Sequence, residues 1–590
     1  FSAFIDRDLS FSKPHGRLGF MSPFVWMFIS SHEHLRTRLI DLETITSLVQ
    51  LEYSGFDGAT VPICTFTLQK GHITGQKGCF IRLSDFRGSE NQGPKTLEAI
   101  KNRDCGWFFE APQDGFKKIP GSPVAYWLRE NTLNAFKSSD KLDDLSPCRA
   151  GMQTGENEKF VRLWTEVDLL ASGLSGLTKL EAAESGLKWF PYNSGGGFRK
   201  WYGNNEKVVD WLFDGRNIKN DKLEKLKHGL CLPSNSKPKN EQFYFQPCIT
   251  WTAISSSFFG VRQCGSGHLF DIAGASTFPT SKYYNAVTSF LLSKVASYLL
   301  TSLNPTLNVQ PGNVGSLPFL EAEIFSQIEA IDDGLETSVS LARLDWDAYE
   351  RSWDFQTLPL LTISTDPTPT LESSYTAWIT QNRDTIVEMQ RLEEENNRLF
   401  IDAYGLQDEL TPEVPIEQIT LTVNPAYRYG IKGTEQERND RFRSDTMAEL
   451  VSYTIGCMMG RYSLDQEGLV YAHAGNEGFD ALVEAGKYKT FPADSDGIVP
   501  ILDDEWYKDD ACNRVVEFVK TAWGEENLTE NLQFIADSLC LDAIKPKNSE
   551  SAAATIRRYL STQFYKDHMQ TYKNRPIYWL FSSGKEKAFE

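Results

Sequence analysis

The first 84 residues alternate between short apolar runs and polar turns. An apolar run that begins at Arg17 is followed by a helix that we expect from about Ser30 to Leu39. Strands are predicted over 45–52 and 61–68, where β-branched and aromatic residues are concentrated. Strand, helix, strand, turn and strand is the order typical of the closing part of a Rossmann-like α/β sheet. Since such a remnant would leave a parallel sheet face uncovered, we expect the opening strands to lie upstream of this chain.

The rest of the hydrophobic pattern predicts an α/β and α+β multidomain protein. At roughly 100–200 residues per domain, 590 residues accommodate three or more domains. After the sheet (1–84), the predicted segments are a polar connector (85–150), a mixed domain of short strands (151–320), an acidic helical spacer (321–434) and a mostly helical C-terminal domain (435–590).

Several local elements within these segments can be predicted from residue spacing. A helix is expected over 122–135, strands over 242–245 and 249–253, and one buried helix over 283–303. Apolar residues recur at helical spacing over 378–399, which predicts a helical hairpin or spacer because the repeat is too short for a long coiled coil.

Charge is distributed unevenly along the chain. The net charge is −19, but residues 188–294 contain 14 Lys and Arg against 7 Asp and Glu, a net of +7 that leaves −26 for the rest. A basic segment among acidic ones is typical of a phosphate-binding face. The hydrophobic fraction of 41% argues against a disordered protein.

The cysteines and the absence of leader signals point to a reducing compartment. Ten cysteines are scattered without a C-x-x-C pair, so neither a disulfide scaffold nor a zinc site is expected. The most apolar stretch, 290–303, is shorter than the ~20 residues of a membrane span. We therefore expect a cytoplasmic protein without a membrane partner. The chain opens on Phe1 rather than Met, so the gene is expected to begin further upstream.

The first candidate motif is the loop from Gly151 to Asn157, which contains Gln153 and Thr154. Two glycines with polar residues between them can place backbone N–H groups against a phosphate. An ordinary glycine turn is the alternative interpretation, and the pattern alone favours it.

The second motif, 188–204, interleaves basic residues with aromatics and glycines. Lys188, Arg199 and Lys200 are candidates for neutralising phosphates, and Tyr202 is a candidate contact beside them. The pattern equally fits the aromatic edge of a core with solvated charges.

The third motif runs from Ile249 to Arg262. Its hydroxyl side chains, Ser255, Ser256 and Ser257, are candidate donors to phosphates or base edges, and Arg262 could fork onto guanine. Serine runs are usually plain loops, so this interpretation needs other support.

Two further patterns invite a metal site, and neither is convincing. His32 and His34 are two residues apart, so on a helix their side chains point in different directions. The acidic stretches 503–505 and 509–510 lack the lysine-containing pattern of a nuclease and are interpreted as a solvated loop. No metal is expected.

The order of the motifs resembles the PglX family, the site-specific adenine methyltransferases of BREX phage-defence systems, and more distantly the fused type II restriction-modification enzymes. The resemblance covers nearly the whole chain. It is carried by 151–157, 188–204, 249–262, 304–308 with 317–318, 449–453 with 460–465, and 575–581.

The resemblance implies a division of labour along the chain. Residues 151–318 would be the target-recognition domain, and the spacer and C-terminal domain would help to clamp the duplex. The family transfers a methyl group from S-adenosylmethionine to adenine N6 after the base flips out of the helix. Double-stranded DNA and other BREX proteins are the implied partners.

The family's two catalytic signatures are missing from this chain. We find neither a glycine-rich cofactor loop nor an Asn-Pro-Pro-Tyr-type segment. The nearest stretch, Asn424-Pro425-Ala426-Tyr427, lacks the second proline and is interpreted as a turn. S-adenosylmethionine is therefore expected to bind mainly to a missing N-terminal segment, and this chain alone is expected to be inactive.

One position of the family's catalytic domain has a match. Phe56 precedes the predicted hairpin strand 61–68, where an aromatic can stack on the extruded adenine. A packing Phe at a hairpin turn fits equally well.

Two other functions remain open at this stage. The chain would alternatively be a non-catalytic DNA specificity subunit, or a scaffold of a defence complex. In either DNA-binding interpretation, reversing the charges of Arg199 and Lys200 should weaken binding to all sequences, whereas changing Arg262 should alter the chosen site.

Overall fold

The computed structural model describes residues 2–53, 55, 62–235, 237–255, 258–304, 308–364, 366–472 and 478–582. The fold is mixed α/β, with several small sheets and many helices. The strands are β1 (Arg17–Pro23), β2 (Glu43–Gln50), β3 (Ile63–Lys70), β4 (Lys77–Arg82), β5 (Phe108–Pro112), β6 (Asp140–Lys141), β7 (Cys148–Arg149), β8 (Val161–Leu163), β9 (Trp189–Asn193), β10 (Lys207–Asp210), β11 (Cys248–Trp251), β12 (Val261–Cys264), β13 (Leu269–Phe270), β14 (Ser276–Thr277) and β15 (Pro318–Phe319).

Helices dominate the second half of the chain. They are α1 (Ser2–Phe11), α2 (Glu33–Leu42), α3 (Ser89–Lys101), α4 (Glu130–Ser138), α5 (Leu142–Leu145), α6 (Asn157–Phe160), α7 (Lys179–Glu184), α8 (Leu212–Lys227), α9 (Ser281–Leu292), α10 (Lys294–Leu303), α11 (Pro311–Gly315), α12 (Glu321–Phe325), α13 (Ile328–Asp347), α14 (Pro359–Thr362), α15 (Leu371–Tyr404), α16 (Pro425–Tyr429), α17 (Glu435–Met458), α18 (Phe479–Glu484), α19 (Ala511–Trp523), α20 (Leu528–Leu539), α21 (Ala552–Tyr559) and α22 (Tyr565–Thr571).

The N-terminal sheet has five strands in the order β1-β3-β2-β4-β5. The predicted strand, helix and hairpin are present as β1, α2, β2 and β3. The sheet extends further than predicted, because β4 pairs parallel to β2 and β5 pairs antiparallel to β4. The predicted boundary at residue 84 therefore falls between two paired strands. Pairing of Phe109 with Phe80 joins β5 to a sheet whose other strands lie before that boundary.

Three local predictions are wrong for identifiable reasons. Residues 122–129 are not helical, since Ser122 has φ 49° and the N–H of Val124 donates to the carbonyl of Met27 (3.0 Å). Residues 241–243 form a 3-10 turn instead of a strand. The predicted helix 283–303 is two helices bent by 73°. Ser293 causes the break by capping α10, where its Oγ accepts from the N–H of Ala296.

The mixed domain contains two four-stranded sheets, β13-β9-β10-β8 and β12-β11-β14-β7. Helix α9 packs on the second sheet, and the hydroxyl of Tyr284 donates to the carbonyls of Cys248 (3.0 Å) and Cys264 (2.9 Å). The predicted strand 249–253 corresponds to β11. The helix predicted over 378–399 is present and longer: α15 begins at a Thr370 capping box and ends before Gly405, whose φ is 62°.

The cores do not follow the predicted segments. One core joins the N-terminal sheet to β11, β12, α9 and α10, so the N-terminal region and the mixed domain share buried side chains such as Phe80, Trp251 and Phe290. A second core lies among the helices of the spacer and the C-terminal domain. Among the described residues no single helix has the length and hydropathy to cross a membrane; only α9 and α10 taken together reach that threshold, across their bend.

Candidate nucleic-acid interface

The loop 151–157 lies along strand β13 with its backbone held in place. The N–H groups of Gly151 and Met152 donate to the carbonyls of Asp271 (3.1 Å) and Phe270 (3.0 Å). A Cβ on Gly151 would lie 1.9 Å from the Phe270 carbonyl oxygen, so this approach requires glycine. The first glycine thus serves a close backbone contact.

The polar residues of this loop divide between the surface and the interior. Gln153 and Asn157 are exposed, whereas Thr154 is buried. The Thr154 hydroxyl donates to Asn157 Oδ1 at 2.6 Å. Thr154 therefore holds the amide oxygen of the exposed Asn157, and this bond does not use the amide N–H₂ group.

A cavity of about 560 Å³, which we call the loop pocket, opens beside this loop. Gln153, Thr154 and Asn157 form one side, and Lys222 and Lys225 of α8 line it as well. Burial lowers the pKa of Lys222, whose Nζ donates to the Asn235 carbonyl at 3.1 Å. Hydrogen bonding to Asp221 and Glu156 raises the pKa of Lys225. Both lysines are thus already engaged within the protein.

A second cavity of about 250 Å³, the junction cleft, lies between the mixed domain and the end of the chain. Its cations are Arg162 and Lys207 from β8 and β10, and Lys573 and Arg575 from beyond α22. Asn157 and Asp271 line both cavities, so the two adjoin. Burial raises the pKa of Asp271, although its carboxylate accepts from the N–H groups of Ala273 (2.7 Å) and Gly274 (2.8 Å).

Arg199 does not face solvent, which contradicts its predicted role as a phosphate contact. It is 1% exposed, and its Nη2 lies 2.7 Å from Asp345 Oδ2 in α13. Its other N–H groups donate to the Tyr202 carbonyl (2.8 Å) and the Thr422 hydroxyl (3.1 Å). The hydrogen bonds of the guanidinium thus join the mixed domain to the spacer.

Lys200 is likewise buried and paired. It is 7% exposed, and its ammonium bonds the carboxylate of Glu393 in α15. The neighbouring Trp201 indole donates to the other oxygen of Glu393 at 2.9 Å. A phosphate could reach Lys200 only if the spacer moved away, so the predicted contact is wrong for this arrangement.

Arg262 and Tyr202 are also unsuited to the roles predicted for them. Arg262 is 2% exposed, and burial lowers its pKa. It lies on β12, beside Trp201, whose N–H donates to the Val261 carbonyl at 2.9 Å. Arg262 therefore cannot donate two hydrogen bonds to a guanine unless the packing between β12 and Trp201 opens. Tyr202 is partly buried beneath the guanidinium of Arg343, 5.3 Å from the ring centre.

The remaining candidates have mixed positions. Lys188 is partly exposed, with Nζ 3.8 Å from Asp210 Oδ2 and over the ring of Trp189. Ser255 is half-buried. Ser256, Ser257 and Phe56 lie outside the described residues.

Sequence reasoning missed the cations that line the junction cleft. Arg162 lies between Phe160 and Trp164, and Lys207 lies within the basic segment 188–294, but nothing in either context predicts that the two side chains line one cleft. Arg575 stands at the start of the anchor 575–581, but nothing in its local sequence predicts that it meets the mixed domain. The position of Lys207 as the charged first residue of β10, directly before the apolar Val208 and Val209, is the signal that could have identified one member of this set.

The segment that resembles a catalytic signature is structural. Asn424 is 2% exposed and caps α16, where its Oδ1 accepts from the Ala426 N–H. Its amide donates to the carbonyls of Ile416 (2.7 Å) and Ile419 (2.9 Å). With these bonds made, Asn424 has no amide hydrogen left for an adenine.

The acidic stretches near residue 505 are only partly solvated. Asp510 is fully buried, pairs with Arg557 and caps α19 through the Asn513 N–H (2.8 Å). Within the described part of the chain no three His, Cys, Asp or Glu side chains come together in a group that could hold a metal.

Comparison with known proteins reveals long relatives. An adenine-specific methyltransferase named BrxX from Escherichia coli O9:H4 (strain HS) is 39% identical over 598 residues, which cover 100% of this chain and 46% of that protein. An adenine-specific methyltransferase named PglX from Lacticaseibacillus casei (strain Zhang) is 36% identical over 600 residues, with the same coverage. The chain is homologous to the PglX and BrxX adenine-specific methyltransferases. It spans about half the length of these curated relatives. The resemblance to the PglX family that the order of motifs indicated is confirmed.

Other comparisons add little. No protein-family model matches the chain. Among solved structures, the type IIL restriction-modification enzyme MmeI in complex with DNA matches 73% of this chain and 52% of its own at a TM-score of 0.37 and 9% identity. The type IIG restriction endonuclease BpuSI matches 68% and 49% at a TM-score of 0.23 and 9% identity. These scores are too low to support an inference.

The groove on the N-terminal sheet does not fit S-adenosylmethionine, the methyl donor that adenine methyltransferases imply. Among the residues that the structure describes, this groove of about 330 Å³ is lined by apolar side chains such as Val49, Leu51 and Ile100 and by the neutral polar Gln92 and Thr96, with no charged residue. A ribose and an amino-acid group need acidic and polar partners, as dinucleotide sites illustrate. No step of methyl transfer is therefore assigned to this groove.

Proposed function

We propose that this chain is the DNA-recognition part of a site-specific adenine-N6 methyltransferase of a BREX phage-defence system. Homology over the whole chain to proteins named as adenine-specific methyltransferases carries the proposal. S-adenosylmethionine would be held by the part of those relatives that this chain does not span. Double-stranded DNA is the partner that this function requires.

The loop pocket and the junction cleft together form the surface that best suits a duplex. Exposed Gln153 and Asn157 carry amide groups, which can bond adenine N6 and N7 in the major groove. Next to them, Lys207 and Arg162 supply positive charge for the backbone, where most protein–DNA hydrogen bonds are made. Base reading and phosphate contact would thus lie on adjoining surfaces.

The experiment is methylome sequencing of cells that carry the full-length gene with Gln153→Ala and Asn157→Ala. The expected result is either loss of methylation or methylation of a relaxed site that tolerates other bases at one position. The reason is that a bidentate base contact contributes about 1–3 kcal/mol of discrimination between bases. Gln242→Ala, an exposed amide outside both cavities, is the matched control and should leave the methylome unchanged. An unchanged methylome in the double variant would contradict the assignment of these two residues.

A separate measurement tests DNA binding itself. Affinity of the full-length protein for a duplex should fall steeply with salt, because Lys and Arg release counterions from the phosphates. A duplex affinity that is independent of salt would refute the proposed partner.

A further inference from the structure

The turn that follows α22 is held in a conformation that its residues do not prefer. Lys573 and Asn574 both lie in the left-handed region, with φ of 53° and 61°. This conformation is tolerable for Asn but unfavourable for Lys. Strain of this kind persists where the surroundings enforce it, and it clusters at functional sites.

The surroundings of this turn do enforce it. The N–H groups of Asn574 and Arg575 donate to the carbonyls of Met569 (2.7 Å) and Tyr572 (2.8 Å). Beneath the turn, Tyr572 is 3% exposed, and its hydroxyl donates to Glu350 of the spacer at 3.0 Å. The backbone that carries Lys573 and Arg575 is therefore prearranged.

Both cations of the turn extend to glutamates of the mixed domain. The ammonium of Lys573 bonds Glu206, and Nε of Arg575 lies 3.8 Å from Glu166 Oε1. The Lys573 and Arg575 side chains are 53% and 60% exposed. The two glutamate side chains are 20% exposed, so each pair is screened by water mainly on the side of its cation. Pairs with so exposed a cation are weak, and an anion of higher charge density can replace the carboxylates.

The opposite wall of the junction cleft carries two further cations that form no ion pair among the described residues, although the Asp271 carboxylate, which also lines the cleft, interacts electrostatically with Lys207. The guanidinium of Arg162 donates to the backbone carbonyls of Glu158 and Val161. Across the described residues, neither Arg162 nor the exposed Lys207 has an Asp or Glu within ion-pair distance. An anion that enters the cleft would thus meet positive charge on both walls.

We propose that the junction cleft binds phosphates of the DNA backbone, and that Glu166 and Glu206 occupy the phosphate positions until the duplex arrives. Lys573 and Arg575 then exchange a carboxylate for a phosphate without a change in the turn. The proposal deepens the proposed function and rests on it, since it names the C-terminal element that completes the recognition surface.

The test uses the full-length protein and duplex affinity measured by fluorescence anisotropy over a range of salt concentrations. Replacing Lys573 and Arg575 with Ala should weaken binding to all sequences alike. It should also lower the salt slope by about 1 for each phosphate that is no longer neutralised. The double change Glu166→Gln and Glu206→Gln should strengthen binding by up to about fivefold for each pair, because the competing carboxylates disappear. Gln can still accept from the Leu163 N–H as Glu166 does.

The exposed pair of Lys520 and Glu525 supplies the matched control, since it lies outside the cleft. Lys520→Ala and Glu525→Gln should leave both affinity and salt slope unchanged. The proposal is overturned if the alanine variants bind as the wild type does. It is also overturned if the glutamine variants bind more weakly and melt at a lower temperature, since the glutamates would then be structural. Failure of the wild-type protein to bind any duplex would instead refute the proposed function.

Discussion

Removing the buried guanidinium of Arg199 should destabilise the fold rather than remove a contact to DNA. Arg199→Ala leaves Asp345, whose side chain is 2% exposed, without its ion-pair partner, although Arg351 remains as a nearby cation. Breaking a buried pair in this way typically costs about 3–5 kcal/mol. Asp345 still accepts from the N–H groups of Thr422 (2.7 Å) and Val423 (2.9 Å), so we expect the lower end, about 3 kcal/mol.

The assay is thermal or urea unfolding, with duplex affinity measured under conditions where the variant is folded. Arg199→Lys should show an intermediate loss, because lysine keeps the charge but cannot bond Tyr202, Thr422 and Asp345 together. Arg216, an exposed arginine stacked on Phe213, is the matched control, and Arg216→Ala should change stability by no more than about 1 kcal/mol.

The opposite pattern would refute this reasoning. If Arg199→Ala unfolded at the wild-type midpoint while the salt slope of DNA binding fell by about 1, Arg199 would be a phosphate contact. That was the expectation from its basic and aromatic sequence context.

Two further predictions concern pH and backbone packing. Burial raises the pKa of Glu350 from 4.5 to about 7, so its contribution to stability is complete below pH 4.5 and is lost as the pH rises through 7. Glu350→Gln should therefore gain stability relative to the wild type between pH 5 and pH 8 in urea titrations. The exposed Glu329→Gln should show no such trend. Gly151→Ala should cost about 1–3 kcal/mol by clash with Phe270, whereas Gly197→Ala, with open space around it, should unfold like the wild type.

Local pattern was informative wherever neighbours in the chain decide the structure. The strands β1, β2 and β3, the helix α2 and the long helix α15 follow from apolar spacing, and α15 is also bounded by the Thr370 capping box and Gly405. The order of motifs also sufficed to identify the homology, because it depends on residues alone.

Tertiary structure decided which charges remain on the surface. The partners of Arg199 and Lys200 lie 146 and 193 residues further along the chain, in α13 and α15. No local pattern distinguishes a cation that meets such a partner from one that stays in water. The same holds for Lys573, which meets Glu206 across 367 residues. The net positive charge of 188–294 could be read from the sequence. Which of its cations face solvent could not, because burial of an ion depends on long-range packing.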